Sequence, residues 1–215
     1  SSLLQLRLPL RLLADFRIKR KNMSAFTEIM EYIQTFEKYG CKEYENGTKE
    51  YGHAPFIAPE AYNFCVFATL NEDDIVELER DLKREIPSQF RSFLMTDTNG
   101  LHLFHHFSLY GMRKSYNRDL NATPAPFGLL EPNIYEKPKN AKDTYFFIGG
   151  YRYDGSKLYI DSEDGKVHFC KRRDASSLLA WDSFEDMLLS ESKRIFTLYD
   201  DRGRMLVPSE KTLPI

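Results

Sequence analysis

An α+β fold, a single domain with an antiparallel or mixed β-sheet flanked by helices, is predicted by three observations. Capped amphipathic segments near Ser24, Asn71 and Ser183 carry helical spacing of apolar residues. The stretch "TYFFIGGYRYDGSKLYIDSEDGKVHFC" alternates apolar and polar residues between Asp154-Gly155 and Asp164-Gly165, dipeptides that favour hairpin turns. The chain of 215 residues is 42% hydrophobic and 14% aromatic, enough to fill one sizeable core.

The elements follow in order. Ser24 caps a helix expected to run through Lys38, with Phe26, Ile29, Met30, Ile33 and Phe36 on one face and Gly40 just past its end. Residues 41–63 hold Asn-Gly, Tyr-Gly and two prolines and read as loop with room for a short hairpin. "FCVFATL", residues 64–70, reads as a buried strand. Asn71 and the following "EDD" place a capping side chain and three carboxylates at a helix N-terminus, where the helix dipole favours them. Ile75, Leu78 and Leu82 form that helix's stripe. Ile86-Pro87 breaks it, because a residue before proline is pushed out of the α region.

A second short helix then carries Phe90, Phe93 and Leu94 and stops at Asn99-Gly100, where a pair tolerant of positive φ can reverse the chain. The spacing from Leu101 to Tyr110 predicts one strand, and the next 34 residues, to Thr144, a long excursion. Residues 144–170 should form a three-stranded meander with one buried face. Ser183, with Asp186 three residues on, caps a last helix bearing Phe184, Met187 and Leu188.

The segment 1–22 differs from the rest. It holds six Lys or Arg against Asp15 alone, and Arg7, Pro9 and Arg11 interrupt its leucines, so it reads as leader or appended sequence outside the fold. The whole chain carries −2, so the part from Met23 onward carries −7. An acidic body disfavours direct nucleic-acid binding and suits a basic partner. Cys41, Cys65 and Cys170 are odd in number and lack C-x-x-C spacing, which suits a reducing cytoplasm and argues against a disulfide framework or zinc knuckle. No apolar run reaches the roughly 20 residues that a membrane helix needs.

Reaction chemistry is harder to find. His102, His105 and His106 on one strand would split between its two faces, with no neighbouring carboxylate or cysteine to complete a metal site. "DSEDGK" lacks the order of a calcium loop. Gly149-Gly150 precedes a strand rather than a helix, so it cannot form a nucleotide fingerprint. Neither G-x-S-x-G nor a flanked catalytic cysteine occurs. The residues expected to face a partner are aromatics beside carboxylates: Tyr151, Tyr153 and Asp154 near the first meander turn, Asp161, Glu163 and Asp164 around the second, and Trp181-Asp182 before the last helix.

"IPSQFRSFLMTDTNG", followed in order by "LYG", "FIGG", "YIDSEDGKV" and "SFEDML", resembles the SUKH superfamily, which includes fungal cell-wall synthesis regulators and bacterial immunity proteins. Ile86-Pro87, Phe90, Phe93-Leu94 and Asn99-Gly100 stand at its motif positions, with Ile86 in place of the usual leucine. The similarity covers roughly Leu70 to Phe196, which divides the chain into a leader (1–22), an N-terminal helix and loop extension (23–69) and a SUKH-like domain (70–215). It implies an α+β fold, no catalytic residues, no cofactor and a protein partner. For the immunity relatives that partner is a toxin, often a nuclease; for the fungal ones the role is a scaffold in wall signalling.

Overall fold

A computed structural model describes residues 23–117, 119 and 122–215. The predicted leader, residues 1–22, lies outside the described residues. Nine strands form one sheet in which every neighbour in space is the neighbour in sequence and every pairing is antiparallel. They are β1 (Cys41–Glu43), β2 (Lys49–His53), β3 (Tyr62–Val66), β4 (Leu101–Leu103), β5 (Phe107–Leu109), β6 (Tyr145–Tyr151), β7 (Lys157–Asp161), β8 (Val167–Lys171) and β9 (Asp174–Trp181). The helices are α1 (Ala25–Gln34), α2 (Glu72–Leu82), α3 (Ser88–Ser92) and α4 (Phe184–Phe196). The α+β fold class expected from the sequence is the one observed.

Helix starts follow from the capping residues. The side chains of Ser24, Asn71 and Ser183 accept from Thr27, Asp74 and Asp186 N–H, and the Asp74 carboxylate in turn accepts from Asn71 N–H to complete a capping box. Helix α1 is shorter than its spacing predicts: it ends at Gln34 and tightens into a 3₁₀ turn at Glu37–Tyr39, with Gly40 beyond at φ +123°. Helix α3 does not continue as α to Asn99. It widens into a π turn over Phe93–Asp97, and the break comes where expected, with Gly100 at φ +92°.

Three consecutive residues lock this reversal. The Thr98 hydroxyl accepts from Phe67 N–H and donates to Gly100 C=O. The buried Asn99 amide clamps both backbone groups of Met112, at 2.9 and 2.7 Å. A side chain on Gly100 would meet the Leu109 carbonyl at 2.8 Å. The end of β3, the start of the excursion and β5 are thereby joined at one point.

Several expectations need correction. Residues 41–63 are not mainly loop: they hold β1, β2 and the start of β3, and the Asn46-Gly47 turn joins the first two. The extension 23–69 therefore shares the sheet, because β3 pairs with β4. The stretch 101–110 is two short strands rather than one. Phe104 and His105 take φ of +49° and +60° between them, a conformation bulky residues seldom adopt and sequence patterns do not announce. The meander has a fourth strand, β9, and β7 is buried along its whole length, so both faces are covered there.

Cross-strand register separates the two faces. On one, rows such as Tyr51–Phe64–Leu103–Phe107–Tyr151 and Leu101–Leu109–Gly149–Leu158–Phe169–Leu179 lie in the core with α1, α2, α3 and α4. Aromatic contacts knit the helices to each other and to the sheet: Tyr32 stacks on Phe196, and Phe184 meets both Phe90 and Phe93 edge-on. The other face is different in chemistry. One row across it reads Glu50–Cys65–His102–Ser108–Gly150–Lys157–Cys170. A small satellite core of Phe147, Tyr159, Cys170 and Ala175 covers its far end, and Phe127 of the excursion lies over His102.

The excursion is anchored by Asn133. Its amide donates to Leu129 and Phe147 carbonyls at 2.9 and 2.8 Å and accepts from Phe147 N–H at 2.9 Å. The β6–β7 register shifts between Phe147 and Gly149. A side-chain amide thus extends the ladder on β6 past the point where β5 ends.

Candidate functional site

The residues expected to face a partner divide into exposed and structural ones. Tyr151 is 2% exposed rather than a surface aromatic, because its alternation turns it to the helical face. Its hydroxyl donates to the buried Glu191 carboxylate at 2.7 Å, and Arg194 bonds the same carboxylate through Nε and Nη2 at 2.9 and 2.5 Å. Burial, reinforced by Glu191, raises the Tyr151 phenol well above its usual range. Asp161 is likewise buried, its Oδ1 accepting from Glu163 N–H within the turn.

The others reach solvent, with their charges partly matched at home. Tyr153 is half exposed, and Asp154 accepts from Ser156 N–H. Glu163 pairs with Lys142 at 2.8 Å, and Asp182 with Lys166 at 2.8 Å. Asp164 accepts from Lys166 N–H and lies 3.1 Å from His168 Nε2. Trp181 is half-buried and packs against the main core. The acidic turn is therefore a set of short-range pairs more than an open negative field.

Candidate chemistry excluded on sequence grounds has local explanations here. His105 and His106 lie in the β4–β5 turn, not on one strand with His102. His106 Nδ1 sits 2.7 Å from the Tyr199 hydroxyl, while the Nε2 of His102 is sealed in without a partner between Phe67 and Phe127. Burial lowers His102 to a pKa of about 3. Burial also lifts the Cys65 thiol well above its usual range and Cys170 to about 12, so neither is a ready thiolate. A different grouping brings ligand-type atoms together: Asp161, Asp164 and His168 lie within 4.8 Å of one another. Sequence reasoning passed over it because His168 joins the turn from the next strand, four residues after Asp164.

A surface absent from the sequence reading is carried by the excursion. Tyr116, Phe127, Ile134 and Tyr135 are 63, 51, 40 and 75% exposed, all within 20 residues of chain. The signal for it was available: large apolar residues between Asn, Pro and Lys in a segment with no periodicity have no element in which to bury.

No described helix is long and apolar enough to cross a membrane. No curated protein matches the chain closely enough to serve as a relative. The model of the SMI1 / KNR4 family (SUKH-1) matches residues 69–190, from just past β3 to the middle of α4 and across all of the excursion. With that match spanning more than half of the chain, and with the helix-to-strand reversal at Asn99-Gly100 in place, the protein belongs to the SMI1 / KNR4 family (SUKH-1).

Proposed function

We propose that the protein is a non-enzymatic protein-binding module of the immunity type, which masks a cognate toxin. The observation that carries this reading is the exposed group Tyr116, Phe127, Ile134 and Tyr135 on an excursion the fold holds firmly at Asn99 and Asn133. Aromatics of this kind supply the anchors of protein interfaces. Family membership supports a SUKH-type module, and the −7 charge of the chain from Met23 onward favours a basic partner.

The partner's long-range attraction then comes from net charge, and its tight contacts from the aromatics. The test is binding to the product of a neighbouring toxin gene at two salt concentrations, together with protection of cells that express it. Tyr135→Ser should weaken binding by tenfold or more, and Glu163→Gln with Asp164→Asn should slow association at low salt. Unchanged affinity in both variants would remove these surfaces from the interface. Binding without protection would turn the reading toward a regulatory scaffold of the cell-wall synthesis type.

A further inference from the structure

The sheet face away from the helices holds a cleft of about 330 Å³, at the lower end of the range for small-molecule sites. Its floor is the middle of the cross-sheet row: Ser108, Gly150 and Lys157. Its walls include Tyr110, Phe127 and Pro132, and Arg113 and Arg152 stand with them. Gly150 keeps the floor open. A side chain there would meet the Tyr110 hydroxyl at 2.8 Å, so that hydroxyl lies close above the strand.

Lys157 is the unexplained group. It is 6% exposed, yet among the described residues it makes no direct ion pair and no side-chain hydrogen bond, and the opposite charge that acts on it, Glu136, does so from beyond contact distance. An ammonium on so enclosed a residue, open only to the cleft and without a direct partner, is costly to keep charged. Arg113 and Arg152 also lack an ion pair among the described residues. Glu136, on the cleft's edge, is shared with Arg172 at 3.7 Å. Three cations against Glu131 and Glu136 leave the cleft positive on an otherwise acidic protein.

We propose that this cleft binds a small organic anion, a carboxylate or phosphate monoester on a flat apolar body, with Lys157 as the partner of its charge. The Tyr110 and Ser108 hydroxyls flank that charge, and Phe127 and Pro132 cover the apolar body. Desolvation lowers the pKa of Lys157, a cost that an anion seated beside it would reverse. The cleft shares Phe127 with the exposed aromatic group, but its charge site at Lys157 lies apart from Tyr116, Ile134 and Tyr135, so anion binding is tested without any protein partner and its failure is distinguishable from that of the immunity reading.

The experiment titrates the full-length chain, with no partner present, with phenyl phosphate and with phenylacetate. Isothermal calorimetry reads affinity, and amide chemical shifts locate the site. Saturable binding is expected with shifts at Ser108, Gly150 and Lys157, and the two probes distinguish a phosphate from a carboxylate preference. Lys157→Met should weaken binding at least tenfold while its melting temperature, without probe, stays equal to or above that of the parent. Lys142→Met, which removes the partner of Glu163 outside the cleft, should bind as the parent does. The proposal is overturned if neither probe saturates, if Lys157→Met binds equally well, or if the shifts map elsewhere. It is also overturned if Lys157→Met melts well below the parent, because the lysine is then a structural element of the sheet.

Discussion

Replacing Glu191 by alanine tests how the last helix is held to the sheet. Its carboxylate is 2% exposed and accepts from the Tyr151 hydroxyl and twice from Arg194. Arg194 continues the chain of contacts to the carbonyls of Lys211 and Thr212, at 3.2 and 2.6 Å. Removing the carboxylate leaves a buried phenol without an acceptor, at about 1–2 kcal/mol. It also strips the counter-ion from a guanidinium that is 29% exposed, which water screens in part and which adds about 1–2 kcal/mol more. A total of about 3 kcal/mol corresponds to roughly 6–12 °C in melting temperature for a domain of this size. Glu191→Gln keeps an acceptor for Tyr151 and should lose about half as much, and Tyr151→Phe about 1 kcal/mol. Thermal unfolding of the four proteins at pH 7 is the assay. Glu191→Ala melting within 2 °C of the parent, or Tyr151→Phe losing more than Glu191→Ala, would refute the assignment of Glu191 as the hub. Because Tyr151 is enclosed, its phenylalanine variant should leave partner affinity unchanged.

Two further outcomes follow from geometry already described. Gly100→Val combines a positive φ with a clash at the Leu109 carbonyl and should cost about 2–4 kcal/mol, read as a loss of denaturant midpoint at constant slope. His102 is held neutral in the fold, with its pKa lowered from 6.5 to about 3 by burial. The unfolded chain therefore takes up a proton that the native state refuses as pH falls below 6.5, and stability declines by about 1.4 kcal/mol per unit between those values. His102→Leu should flatten the slope between pH 6 and 4 by nearly one proton; an unaltered slope would place the effect elsewhere.

What could be read from the sequence was whatever is decided locally. The caps at Ser24, Asn71 and Ser183, the two Asp-Gly turns and the reversal at Gly100 each depend on a few adjacent residues, and each is present. Strand β9 escaped because "DASSLLAW" lies at the sheet edge, largely exposed, and has no alternation to display. Tyr151 and Asp161 close β6 and β7 beside turn dipeptides, and nothing adjacent in sequence shows that they face covered sides of the sheet. The sheet is in fact covered on both sides around β7. In the sequence Lys157 is simply the polar half of an alternating strand. Its enclosure depends on Tyr110, Phe127 and Pro132, supplied by chain at least 25 residues away. Of the expected site residues, Tyr153, Asp154, Glu163, Asp164 and Asp182 do reach solvent, but their pairing with Lys142, Lys166 and turn N–H groups could not be inferred from spacing.

The strictly sequential order of the nine strands also bears on how the chain assembles in time. Six of the eight pairings join strands linked by short turns or loops, and these can zip up on the microsecond scale of hairpins. Two require longer closures: β3 to β4, across α2 and α3, and β5 to β6, across the excursion. Loop-closure entropy rises with length, so these two steps carry most of the kinetic barrier. Thr98 ties the start of β4 to Phe67 just past β3, and Asn133 grips β6 at Phe147. Residues that stand in the finished molecule as anchors of a turn and a surface loop are thus positioned to act earlier, as the latches that bring three preformed hairpin arrays into one sheet.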